Sequence, residues 1–217
     1  MIPAPEPPIQ RLRRHLVTKL RMHRSPVRQH LAIGTLAAWL CAAGSAAVAN
    51  VVKSLYTSVD LAECTRVAEH PDGDAWRCEG LPGYPVYVAE GDHRQFVSVG
   101  LDAEARRAAK QTPGAFNSIF SAPHSRATIE WRFVRRDGDV VPYAIIVRFH
   151  THAGERRGDV LVVMKVSSTE TCHVAMIDAL ANPEPLILAR NIADEEARKF
   201  NCRSSPRARG ATGQSPM

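Results

Sequence analysis

The chain has 217 residues, 45% of them hydrophobic, and a formal net charge of +6, which leaves room for one or two domains. Seven of its 28 basic side chains, but only one of its 22 acids (Glu6), precede residue 50, so the remainder carries 21 of each and is formally neutral. A neutral body lacks the broad positive field of a nucleic-acid binder, and that class is set aside.

In chain order, a basic stretch ends at Arg28-Gln29-His30, and an uncharged run of 19 residues follows from Leu31 to Ala49. The run closes on Ala47-Val48-Ala49, small residues where a signal peptidase needs them, with Asn50 next. This is the layout of a secretory signal peptide over residues 1–49, cleaved near Ala49. A retained anchor is the rival, because a run of this length just spans a bilayer. Its composition, mostly Ala, Gly, Ser and Thr, is too weakly apolar for stable residence in lipid. The predicted setting is therefore periplasmic or secreted, with no stable membrane insertion after cleavage. Met22 offers an alternative start that gives a leader of ordinary length. Arg13-Arg14 lies too far from the apolar run to act as a twin-arginine signal.

Of five cysteines, Cys41 falls in the leader, leaving Cys64, Cys78, Cys172 and Cys202. An even number in an exported domain reads as a disulfide framework. Proximity favours Cys64–Cys78 and Cys172–Cys202; closing such loops contributes about 3 to 4 kcal/mol each in the chain-entropy model. A zinc site is the alternative, but no short Cys-x-x-Cys knuckle is present.

From Cys64 to Gly100, turn signals (Pro71 to Asp74, Gly80 to Gly83, Glu90 to Asp92) separate short apolar runs, the spacing of short strands. Asp102 to Gln111 has the composition of a polar helix capped by Asp102. Ile129, Trp131 and Phe133 then alternate with Thr128, Glu130 and Arg132, and Tyr143, Ile145, Val147 and Phe149 continue the period after Asp137-Gly138-Asp139. Keeping one face apolar requires Ile129 opposite Val147, Trp131 opposite Ile145 and Phe133 opposite Tyr143. That register predicts a three-residue loop with Arg136 opposite Val140. Strands over Asp159–Val166 and Cys172–Asp178 extend the sheet. Asn182-Pro183-Glu184 opens a helix, with Ala189, Ile192, Ala193, Ala197 and Phe200 inward. Residues 203–217 have no apolar run and read as a disordered tail. The expected fold class is α+β: a small antiparallel β-sheet (a meander) with a C-terminal helix packed on one face, disulfide-stapled, in a single domain over residues 50–202.

The chemical constellations are few. Glu130, Arg132, Arg148 and His150 share the polar face of the predicted hairpin, where they either form a pocket for an anionic or sugar ligand or pair across strands on a solvated face. His150-Thr151-His152, with His173 on a later strand, has metal-ligand spacing. The predicted strand order, with Asp159–Val166 between the strands of His150 and His173, argues against a shared ion. Asp72-Gly73-Asp74 lacks the further acids of a calcium loop and reads as a turn. Ser118, Ser121 and Ser125 stand near His124 without a nucleophile elbow. Gly80 to Gly83 is a turn rather than a phosphate loop. Trp76, Tyr84 and Tyr87 form either an aromatic patch for a partner or part of the core. No motif calls for a cofactor.

The stretch from Leu61 to Asp178, with Asp72-Gly73-Asp74-Ala75-Trp76-Arg77-Cys78, Gly83-Tyr84-Pro85-Val86-Tyr87 and Arg126-Ala127-Thr128-Ile129-Glu130-Trp131-Arg132-Phe133, resembles a group of exported alphaproteobacterial proteins that carry no assigned activity. The resemblance implies a periplasmic setting and transfers no functional residue. The expectation is a non-enzymatic binding or accessory module whose partner is a protein, the envelope or a ligand unknown. A small hydrolase or metal-dependent enzyme using His150/His152/His173 or Glu130/Arg148/His150 is the alternative.

Overall fold

In the computed structural model, residues 53–217 are described, apart from His70 and Asp72. The leader, its end at Ala49 and the alternative start at Met22 lie outside the described residues. Among the described residues, eleven strands form two sheets, and one α-helix covers the outer face of the larger sheet.

The smaller sheet is the antiparallel series β2 (Thr65–Ala68), β3 (Ala75–Leu81), β4 (Tyr84–Gly91) and β5 (Arg94–Val99). The turn-separated apolar runs of the sequence fall on its last three strands. The larger sheet contains β1 (Lys53–Val59), β7 (Ala127–Arg136), β8 (Asp139–Ala153), β9 (Arg156–Val166), β10 (Thr171–Asp178) and β11 (Arg207–Arg209), in that spatial order. A short β6 (Phe116–Ser118) pairs with the far end of β8. The sheet is mixed, because β11 runs parallel to β10. The single small meander expected from the sequence is thus one part of a larger arrangement; the α+β class holds, with mostly strand and one α-helix.

Two cores follow from the alternation of the central strands. Ile129, Trp131, Ile145, Val147, Phe149, Val162 and Met164 pack inward with Val86, Val88, Val97 and Val99 of the smaller sheet. On the other face, Ala144, Ile146, Leu161 and Val163 pack under Ala189, Ile192 and Ala193 of the helix α1 (Pro185–Glu195). A short 3₁₀ turn, Ala197–Lys199, then brings Ala197 and Phe200 to the same core. Disulfides join Cys64 to Cys78 and Cys172 to Cys202, the pairing expected from proximity. Among the described residues, no helix is long and apolar enough to cross a membrane.

Four expectations are corrected. The hairpin register holds at Ile129↔Val147 and Trp131↔Ile145, but Arg136 lies opposite Asp139 and Phe133 opposite Pro142. The loop therefore has two residues, Asp137 (φ 52°) and Gly138 (φ 91°), the left-handed pair that matches strand twist. A bulge opposite Arg132–Phe133 absorbs the extra residue, and it turns both Tyr143 and Ala144 toward α1.

The polar helix over Asp102–Gln111 is instead two short 3₁₀ turns, Ala103–Ala105 and Arg107–Lys110, and Asp102 makes no cap bond. Arg106 breaks the helix by turning inward. Its buried guanidinium donates to the Ser167 (2.9 Å) and Ser168 (2.8 Å) carbonyls and to Asp102 (2.7 Å).

At α1, Pro185 rather than Pro183 occupies the first turn, and the flanking Glu184 makes no cap bond. Asn182 is drawn away: its amide donates to the Asp178 and Ala211 carbonyls, both at 2.8 Å.

Residues 203–217 are not a loose tail. After β11, the buried Asp178 carboxylate accepts from the Ser215 hydroxyl (2.6 Å) and from the Gln214 and Ser215 amides (both 2.8 Å). Ser215 also accepts from the Asp159 amide at 3.0 Å. The approach is so close that a Cβ on Gly158 would lie 2.6 Å from Ser215. The tail is held by polar groups, which hydrophobic periodicity does not register.

Candidate ligand-binding cleft

Residues 128, 130 and 132 of β7 and 144, 146, 148 and 150 of β8 share the face that α1 covers. At one end α1 reaches them. Arg132 donates two bonds to Asp194 (2.9 and 2.7 Å), which also accepts from the Tyr143 hydroxyl at 2.6 Å. Burial and the Asp194 bond push the Tyr143 phenol up to about 12. Burial pulls the Arg132 guanidinium down, but its bonds to Asp194 outweigh that and leave it above its ordinary value. Glu130, 4% exposed, takes a fork from Arg190 (2.8 and 3.1 Å) and a bond from the Ser54 hydroxyl. The Glu130 bond holds the Arg190 guanidinium above its ordinary value. This ionic layer locks helix to sheet, so the hairpin's polar face is not solvated there.

Beyond the first turn of α1 the same face opens into a cleft of about 410 Å³. Its ionisable lining is Arg126, Arg148, Arg190, His150 and Glu130. Arg148 reaches Asp159 through Nη1 (3.1 Å), and His150 Nδ1 lies 2.7 Å from the other oxygen of the same carboxylate. Arg126, on the approach to β7, reaches Asp60 (3.1 Å) and Glu63 (2.6 Å). Among the described residues, the Nε and Nη2 groups of Arg148 meet no protein acceptor.

Three of the four residues singled out in the sequence, Glu130, Arg148 and His150, therefore line one cleft, whereas Arg132 lies under α1. Arg126, Arg190 and Asp159 were missed. Arg190 lies four residues from both Leu186 and Asp194, a spacing that places all three on one side of α1.

A second, larger cleft of about 1070 Å³ adjoins the first through Ser121 and His150, and Asp60, His124 and Arg157 line it. His152 lines this second cleft as well and packs against Phe116, with ring centres 5.4 Å apart.

The three histidines do not converge. His173 pairs with Met164 of the sheet–sheet core, while His150 pairs with Asp159 on the α1 side, so the two rings occupy opposite faces. Burial pushes His173 down to about 3. Among the described residues, no group of three His, Cys, Asp or Glu side chains is arranged to hold a metal. Ser121 and Ser125 belong to a turn, with Ser125 donating to the Ala122 carbonyl at 2.8 Å. The Ser118 hydroxyl donates to Gln95 at 3.1 Å. Gly80 to Gly83 is the β3–β4 turn, and Trp76 and Tyr84 pack against the sheet–sheet core. Asp74 pairs with Arg66.

No family model matches this chain, and no curated protein or solved structure matches it at a significant level.

Proposed function

We propose that the protein is an exported, periplasmic, non-enzymatic binding module that takes an anionic group in the cleft of Arg126, Arg148, Arg190 and His150. The observation that carries this is that three arginines line one cleft and that, among the described residues, Arg148 has N–H donors left over after its bond to Asp159. A guanidinium presents a planar fork of donors that fits carboxylate and phosphate oxygens. Isothermal calorimetry with inorganic phosphate, succinate and octanoate tests the reading. At least one should bind, and Arg148→Gln should weaken that one about tenfold or more, as expected for losing a charged hydrogen bond. Silence from all three anions refutes it.

The exported setting draws support from the two disulfides. It predicts a mature amino terminus at Asn50, which mass spectrometry of envelope protein reads directly; full-length protein retained in the inner membrane defeats it.

One observation favours a second reading, hydrolysis: Asp159 orients His150 through Nδ1 at 2.7 Å, leaving Nε2 for a water or substrate proton. Turnover of chromogenic esters that His150→Ala abolishes would put this reading first.

A further inference from the structure

A second candidate site lies at the far end of β8, around His152. The cleft of about 1070 Å³ beside Ser121 and His150 runs into another of about 890 Å³. Glu90, Gln95, Asn117, Ser118 and His152 line both, so the two form one groove. Its bed is rigid. Asn117 and Gln95 are each 5% exposed. The Asn117 amide donates to the carbonyls of Pro113 (3.2 Å) and Ala115 (2.9 Å). Gln95 accepts from the Ile119 amide at 2.7 Å and donates to Glu90 at 2.6 Å. Glu90 is thereby held where the two clefts join, and among the described residues its second oxygen meets no donor.

Most charges along the groove are spent on one another. Asp60 serves Arg126, Asp159 serves Arg148 and His150, and Asp92 serves Arg94. Among the described residues this leaves one carboxylate, Glu90, one guanidinium, Arg157, and the rings of His93, His124 and His152. Apart from the half-buried His152, all of these are exposed. Accessible hydrocarbon stands beside them. Leu180 on one wall is 56% exposed. Phe116, 37% exposed, lies between His93 and His152, with ring centres 5.3 and 5.4 Å away.

We infer that this groove is a binding site for an uncharged oligosaccharide chain, separate from the arginine cleft. Three observations fix the class. The first is the match of hydrogen-bonding groups. A neutral imidazole carries one donor and one acceptor, a carboxylate accepts and a guanidinium donates. Such a mixed lining suits hydroxyls, which both donate and accept, while Leu180 and Phe116 suit the C–H face of a sugar ring. The second is charge. One open carboxylate and one open guanidinium balance, so a polyanion would meet Glu90 and a polyamine would meet Arg157. The third is size. Sites for single small molecules run to roughly 1,000 Å³, and the joined clefts exceed that, which calls for a chain rather than a monomer. A polypeptide chain is disfavoured because extended peptides are commonly gripped by strand addition at a free sheet edge. Here residues 150 to 152 of β8 already pair with β6 on one side and β9 on the other.

The test is calorimetry on the purified protein with cellohexaose, chitohexaose and maltohexaose and with the disaccharide of each. At least one hexasaccharide should bind, about tenfold or more tighter than its disaccharide, because only the longer chain spans both clefts. Glu90→Gln keeps an acceptor for Gln95 and should weaken that binding about tenfold, the loss expected for one charged hydrogen bond. His124→Gly should act in the same direction without disturbing the fold, since His124 is exposed at φ 59°, an angle glycine adopts freely. Saturating inorganic phosphate should not displace the sugar, so this inference and the anion reading fail separately. Silence from all three hexasaccharides overturns the inference, as does equal affinity for the hexamer and dimer. Binding that neither variant weakens, or that phosphate displaces, places the sugar elsewhere and overturns the site. Tighter binding of a Gly-Ser decapeptide than of any hexasaccharide overturns the ligand class in favour of a polypeptide.

Discussion

Lowering the pH should unfold this protein through one imidazole. His173 is 1% exposed on β10, and among the described residues its Nε2 has no hydrogen-bond partner. Its own backbone amide is taken by the Gln111 side chain at 2.9 Å. With nothing to stabilise an imidazolium, burial pushes the folded value down to about 3, against an unfolded value of about 6.5. The unfolded chain therefore binds this proton more readily. The stabilising difference is intact above the unfolded value and is lost as pH falls from there toward 3. At pH 5 the unfolded imidazole is almost fully protonated and the folded one almost fully neutral, which removes about 2 kcal/mol; at pH 3 the loss reaches about 4 kcal/mol. Against a typical total of about 5 to 15 kcal/mol, the first figure is measurable and the second is severe. Urea unfolding at pH 7 and pH 5 separates this residue from the carboxylates when wild type is compared with His173→Leu, which cannot titrate. Wild type should lose about 2 kcal/mol more than the variant over that interval. Equal losses in the two proteins, or an imidazole that titrates near 6.5 in the native state by NMR, would refute the reasoning.

Three further outcomes follow from particular contacts. Cys202→Ser, which frees the end of the helical segment from β10, should lower stability by about 3 to 4 kcal/mol in denaturant unfolding, from the entropy of a loop of about 30 residues. Asp194→Ala removes both bonds from the Arg132 guanidinium to that carboxylate and the acceptor of the Tyr143 hydroxyl, leaving Arg132 its 3.6 Å ion pair with Glu130, and should cost about 1.5 to 3 kcal/mol as a loss of charge-assisted hydrogen bonds. Asp178→Asn weakens the acceptor that holds the 214 and 215 amides. Hydrogen exchange at those two amides should speed up at least tenfold, while the amides of β8 and β9 keep their protection.

The sequence carried the parts of the fold that depend on side-chain periodicity and on proximity along the chain. The alternation through Ile129, Trp131, Ile145 and Val147 determined which face of the hairpin is inward. The spacing of Cys64, Cys78, Cys172 and Cys202 determined the disulfide pairs, and Ala189, Ile192 and Ala193 marked the buried side of α1. β1 was not read from the sequence, although Leu55, Thr57 and Val59 recur at the strand period. Only the tertiary structure decided that the hairpin's polar face is covered. Glu130 and Arg132 look like surface charges until Arg190 and Asp194, about 60 residues away, are brought over them. Periodicity records which side of a strand is apolar; it holds no information about which distant charge will neutralise a polar one. The same limit hid the tail, which polar groups hold at Asp178 and Gly158, and the bulge at Tyr143, where a two-residue turn and an apolar register became compatible only once one residue left the ladder. The cleft likewise lies between Leu186 and Arg190 of α1 and Arg148 of β8, and where a helix lies along a sheet is set by packing between elements rather than by the residues of either one.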